Sequence, residues 1–141
     1  MRPVRELLKN QDSIALIKPQ DSVFDALQTL ADRDVGALVV MDQGKLVGIF
    51  SERDYTRKIA LAGKSSKDTQ VQDIMTAKVL TVSAQTRTRE CMALMSQKKI
   101  RHLPVIDGDK VLGMISIRDL MDEIIAEQET TINQLQTYIA S

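Results

Sequence analysis

Two short runs carry the residue types on which binding chemistry could be built. Ser51-Glu52-Arg53-Asp54 and Ser116-Ile117-Arg118-Asp119 each gather a hydroxyl, a guanidinium and a carboxylate within four residues. A serine followed three positions later by an acidic residue is a helix N-cap pattern. The hydroxyl accepts from an early backbone N–H, and the carboxylate reaches back to the cap. Aspartate also complements the positive end of the helix dipole. The same place suits an anion, because free N–H groups at a helix start bind phosphate and the neighbouring arginine can pair with it. Gly48 and Gly113 precede each serine by three residues, where glycine either tolerates a bulge or admits a close neighbour. Capping and ligand binding both remain open on spacing alone. All four elements occurring twice shifts the weight toward a ligand.

The recurrence extends well beyond these runs. Residues 17–54 slide onto 82–119 without a gap. Leu38/Leu103, Val40/Val105, Asp42/Asp107, Lys45/Lys110 and Gly48/Gly113 are identical pairs, and Ile17/Val82, Leu27/Met92, Leu30/Met95 and Val47/Leu112 stay apolar. Such regularity marks two copies of one supersecondary unit packed around a shared core. Any site one copy helps to build is expected twice, related by pseudo-twofold symmetry.

The segment Lys98-Lys99-Ile100-Arg101-His102-Leu103-Pro104 is the most basic stretch. Cations at a helix C-terminus complement its dipole without further function. The matching residues of the first copy, Val35-Gly36-Ala37, carry no charge, so two sites built here would not be equivalent. His102 is the only histidine, which leaves no second imidazole and no metal site. Cys91 aligns with Ala26 in a helical stretch and reads as a small core residue. No nucleophile elbow, Walker loop or dinucleotide fingerprint is present, and no enzyme is expected.

The bulk composition narrows the class. In 141 residues, 19 basic side chains balance 19 acidic ones, which argues against a nucleic-acid partner. Two Phe, two Tyr and no Trp leave no stacking platform for single strands. One cysteine excludes an internal disulfide. Met1–Gln11 lacks the apolar run of a signal peptide, and no stretch approaches the ~20 apolar residues of a membrane span. A soluble, cytoplasmic protein without membrane partners is expected.

The elements that must position these residues follow from periodicity. In the first copy Ser22 precedes a helix with Val23, Ala26, Leu27 and Leu30 on one face, closed by Asp34-Val35-Gly36. The runs Ala37–Met41 and Leu46–Phe50 flank the turn Asp42-Gln43-Gly44-Lys45 and predict a hairpin. Ser51 then caps a helix to about Ala62. The second copy predicts a strand at Val79–Val82, a helix at Thr88–Lys98, a hairpin from His102–Ile106 and Val111–Ile115, and a helix from Ser116. The polar run Gly63–Asp68 reads as the linker. The fold class is α/β: two tandem strand–helix–strand–strand–helix repeats packed with pseudo-twofold symmetry. The expected divisions are 1–66 (first repeat with its lead-in), 67–125 (second repeat) and 126–141 (helical extension). The last helix runs to about Ala140. Met121, Ile125, Gln128, Ile132, Leu135 and Ile139 form a heptad stripe on it, suited to packing on its own domain or to self-association.

This ordered set resembles a pair of cystathionine β-synthase (CBS) domains. The residues that carry the resemblance are the duplicated Gly-apolar-apolar-Ser-x-x-Asp closure, the segment Arg101-His102-Leu103-Pro104-Val105-Ile106-Asp107-Gly108, and the lead-in Asp73-Ile74-Met75-Thr76. It covers about residues 4–125. The resemblance implies a regulatory module that binds an adenine nucleotide (AMP, ADP, ATP or NAD) in clefts between the repeats. One cleft would use Ser51, Arg53 and Asp54 with Val79, Leu80, Ile100, Arg101 and His102. The other would use Ser116, Arg118 and Asp119 with Ser13, Ala15, Val35, Gly36 and Ala37. In this family the aspartate holds the ribose hydroxyls and the serine and following residues meet phosphate. A homodimer and an unidentified regulated protein are the implied partners. The alternative is an interaction module with vestigial clefts, acting through its C-terminal helix.

Overall fold

The computed structural model describes residues 2–8 and 14–140. Each repeat is a three-stranded sheet with helices packed on it. In the first, β1 (Leu16–Ile17) runs parallel to β2 (Ala37–Asp42), which pairs antiparallel with β3 (Lys45–Ser51). Helix α1 (Val23–Arg33) connects β1 to β2. The hydroxyl of Ser22 accepts from the Asp25 N–H at 3.0 Å, and Asp34 ends the helix in the left-handed region at φ 52°. The hairpin turns on Gln43 and Gly44, both at positive φ, a mirror-image turn whose twist matches the flanking strands. The second repeat repeats this order with β4 (Val82–Ser83), β5 (His102–Asp107) and β6 (Lys110–Ser116). Helix α4 (Thr88–Lys98) occupies the place of α1, and α5 (Ile117–Ala140) follows β6.

Burial explains the strand sequences. Ala37, Leu38, Val39 and Val40 are all at most 1% exposed, so β2 reads as an unbroken apolar run rather than an alternating one. One core gathers Val23, Ala26 and Leu30 of α1 with Leu38, Val40 and Phe50. The other gathers Cys91 and Met95 of α4 with Leu103, Val105, Ile115 and Leu120.

Neither core is complete within its own repeat. Pro3–Leu8 leads into the first repeat in sequence but packs on the second, where Val4 is fully buried. The Val4 N–H donates to the Thr86 carbonyl at 2.8 Å, and the Thr88 hydroxyl donates to the Arg2 carbonyl at 2.8 Å. Conversely, α3 (Val71–Ile74) leads into the second repeat yet buries Val71 and Ile74 in the first. The Val23 N–H donates to the Thr69 carbonyl at 2.8 Å, while Ile49 and Thr76 exchange two backbone bonds of 2.9 Å. A boundary at residue 66 therefore divides the sequence but not the packing.

This crossing settles the role of Gly48. It lies beside a bulge, since β2 and β3 slip register between Val40 and Met41, and the same slip recurs between Val105 and Ile106. A Cβ on Gly48 would stand 2.6 Å from Met75 Sδ and 3.0 Å from the Thr76 carbonyl oxygen. Both readings of the glycine hold, and the close neighbour is the second lead-in.

Two expected elements differ in extent. The strand expected at Val79–Val82 shrinks to Val82–Ser83, because only these residues reach the β5 ladder, opposite Val105 and Ile106. Val79 and Leu80 leave the sheet and line a cleft. The helix expected from Ser51 to about Ala62 is α-helical only at α2 (Glu52–Tyr55), then widens into a π-helical turn over Thr56–Ala60. The polar run Gly63–Asp68 does not hang free: the Phe24 N–H donates to the Ser66 carbonyl at 2.9 Å.

Candidate functional site

The two Ser-x-x-Asp runs sit at the walls of two clefts between the repeats. The larger, about 890 Å³, brings together Ser51, Arg53, Asp54, Val79, Leu80, Ile100, Arg101 and His102. The smaller, about 690 Å³, brings together Ala15, Val35, Gly36, Ala37, Ser116, Arg118 and Asp119. Ser13 lies outside the described residues. The clefts meet: Gly36 and Arg118 also line the larger one, and Arg101 and His102 also line the smaller. The Arg53 guanidinium reaches across, donating to the Lys99 carbonyl at 3.3 Å. That carbonyl is turned outward where Lys99 ends α4 at φ 54°.

Each aspartate is held in place by a capping box. The Asp54 N–H donates to Ser51 Oγ at 3.2 Å, and the Ser51 N–H returns to Asp54 Oδ2 at 3.1 Å. The Ser116 N–H reaches Asp119 Oδ2 at 2.9 Å, and the Asp119 N–H reaches Ser116 Oγ at 3.2 Å. Capping is thus the architecture that fixes each carboxylate at its cleft, not an alternative to binding there.

Beyond the caps the two sites diverge. Asp54 Oδ2 also accepts from Ser51 Oγ at 3.1 Å. Its Oδ1 accepts from Thr76 Oγ1 at 3.2 Å and pairs with Lys58 Nζ at 3.0 Å. A carboxylate has about four acceptor positions, so Asp54 is saturated by its own chain. Lys58 also donates to the Ile74 carbonyl at 2.8 Å, tying α3 to the site. In the second repeat Glu123 takes the place of Lys58 and is held by the Arg2 guanidinium at 2.7 Å. Among the described residues no lysine pairs with Asp119. Thr76 and Lys58 are the contacts that sequence reasoning misses. Asp54 and Lys58 lie at i, i+4 spacing, which is the signal that could have found the pair.

His102 stands on the wall common to both clefts. It packs against Gly36, where a Cβ would lie at ordinary contact distance, 3.5 Å, from its Nε2. Burial pushes the His102 pKa below its usual value; Asp119 opposes this and Arg101 reinforces it. The ring is therefore a neutral hydrogen-bonding group at neutral pH. Cys91 is buried, and its thiol is pushed up to about 11 by burial, which leaves it unreactive. Among the described residues no cluster of His, Cys, Asp and Glu could hold a metal ion, and no helix is long and apolar enough to cross a membrane.

Comparison with known proteins identifies the family. The CBS domain family pattern matches twice, at residues 4–61 and 71–126. The chain belongs to the CBS domain family. A CBS-domain protein of Burkholderia ambifaria MC40-6 superposes with a TM-score of 0.85 at 45% identity, over 89% of this chain and 96% of that one. The mitochondrial CBS domain-containing protein CBSX3 of Arabidopsis thaliana is 43% identical over 84% of this chain. The chain spans 60% of that relative's length. CBS domain protein PAE2072 from Pyrobaculum aerophilum, solved complexed with AMP, aligns at 25% identity with a TM-score of 0.74 over 83% of this chain and 88% of its own. The chain is thus a pair of CBS domains.

The saturation of Asp54 sets its stability role apart from that of Asp119. Asp54→Ala is expected to lose about 2 kcal/mol: about 1 for the cap and up to about 1 for the half-exposed Lys58 pair. Asp119→Ala is expected to lose only the cap, about 1 kcal/mol. Urea unfolding of both variants checks this, and equal losses would contradict it.

Proposed function

We propose that this CBS pair senses an adenine nucleotide and, with no catalysis of its own, changes how it meets a regulated protein. The observation that carries this reading is the placement of one capped carboxylate at each of two clefts between the repeats. A fixed carboxylate suits a ribose diol, which offers two O–H donors, and a nearby arginine suits phosphate. The AMP complex of the Pyrobaculum relative supports the same class of ligand. AMP, ADP, ATP and NAD all share the recognised parts. In the smaller cleft Asp119 would hold the diol. In the larger, Asp54 would first have to release Thr76 or Lys58.

Calorimetry of the full chain against AMP, ADP, ATP and NAD tests the reading. Losing a charged hydrogen-bond partner costs about 1.5–3 kcal/mol, so Asp119→Ala should weaken AMP binding at least about tenfold. Asp54→Ala should weaken it less, since the wild-type ligand must displace donors there. Absence of binding by all four nucleotides would favour the interaction module acting through α5.

The module is further proposed to be a homodimer. On α5 the residues Met121, Ile125, Ile132, Leu135 and Ile139 are each at least half exposed. They fall on the heptad stripe with isoleucine at every second position, a pattern that pairs helices. Light scattering of the full chain should give twice the monomer mass, and a chain ending near Ile125 should give the monomer mass. A monomeric full chain at micromolar concentration would contradict the proposal. A dimer that survives truncation would move the interface to the repeats.

A further inference from the structure

The two clefts are close in size but far apart in charge. The larger is lined by eight cationic side chains against the carboxylates of Glu52 and Asp54, the smaller by three against Asp34 and Asp119. Among the cations of the larger cleft, Lys58 is paired with Asp54 and Arg53 with a carbonyl. The other six, Arg57, Lys78, Lys98, Lys99, Arg101 and Arg118, have no ion pair among the described residues. They come from the π-helical turn, the extended segment before β4, the end of α4 and the starts of β5 and α5. A single solvated helix face does not produce such a set; it requires both repeats to turn basic residues toward one space. Gathered like charges repel, and an anion that neutralises several of them at once relieves that repulsion.

A monophosphate brings about two negative charges and one cluster of acceptor oxygens. It would leave most of these cations unmatched. Asp54, meanwhile, has its acceptor positions filled by its own chain, so the larger cleft is better supplied for phosphate than for ribose. We infer that the Ser51–Asp54 cleft is a polyphosphate site, taking the phosphate chain of a nucleoside di- or triphosphate, whereas the Ser116–Asp119 cleft takes a monophosphate. The nucleoside part of this assignment rests on the nucleotide reading above; the polyanion part rests on the cations alone.

The test is calorimetry of the full chain with AMP, ATP and inorganic tripolyphosphate, at low and high salt. The wild type is compared with the double variant Lys78→Ala/Lys99→Ala, whose two sites line only the larger cleft. ATP should bind at least about tenfold tighter than AMP, the yield of one added charged hydrogen bond, and lose more of its affinity as salt screens the contacts. Tripolyphosphate should bind once per chain and compete with ATP. The double variant should lose about tenfold for ATP and tripolyphosphate while AMP binding stays nearly unchanged, which also reports an intact fold. ATP binding no tighter than AMP, or tripolyphosphate failing to compete, overturns the inference and leaves the nucleotide reading standing. Tripolyphosphate binding without any nucleotide overturns the nucleotide reading and leaves the polyanion site standing.

Discussion

The structure depends on an exchange of lead-in segments. Val4, ahead of the first repeat, is fully buried in the core of the second, and Val71, ahead of the second, is fully buried in the core of the first. Fully burying a valine contributes about 1.5–3 kcal/mol, so neither repeat can part from the other without opening both cores. The two repeats are thereby held together, and residues of both line the two clefts. Gly48 is part of this constraint: a Cβ there would crowd the Thr76 carbonyl oxygen at 3.0 Å and require Met75 to shift. The same approach delivers the Thr76 hydroxyl to Asp54. Packing and site chemistry here rest on one contact.

Capping and recognition are usually weighed against each other for a Ser-x-x-Asp run, yet here one produces the other. The cap fixes φ/ψ at the strand-to-helix joint and so fixes the carboxylate at the cleft wall. The repeated sequence supplies two such walls, and they differ in electrostatics. Where the first repeat has Lys58, paired with Asp54, the second has Glu123, paired with Arg2. Where the first repeat has Gly36 and Ala37, the second has Arg101 and His102, which line both clefts. A pair symmetric in backbone is therefore asymmetric in charge, which suits sensing ligands that differ in phosphate number.

The hairpins and the helices α1, α4 and α5 were legible in the sequence because their apolar runs and helical periodicities are local and occur twice. The strand at Val79–Val82 was overextended because Val79 and Leu80 have strand composition but no partner within reach of the ladder. The π-helical turn at Thr56–Ala60 has no sequence signature of its own. The crossing of Pro3–Leu8 onto the second repeat joins residues about eighty apart, a distance at which periodicity says nothing. For the site, the aspartates and the Arg101–His102 pair stood out through the repeat alignment. The cations at Arg57 and Lys78 did not, since their convergence exists only once the repeats face each other. The burial that lowers the His102 pKa was likewise invisible in the sequence.

The central claim is that an adenine nucleotide binds between the repeats and is held by both at once. Hydrogen–deuterium exchange of the full chain with and without AMP addresses it most directly, because it reports each segment separately. The account predicts slowed exchange at Val35–Ala37 of the first repeat together with Ser116–Asp119 of the second, two segments that meet across the smaller cleft. Protection confined to one repeat, or to the exposed end of α5, would contradict it.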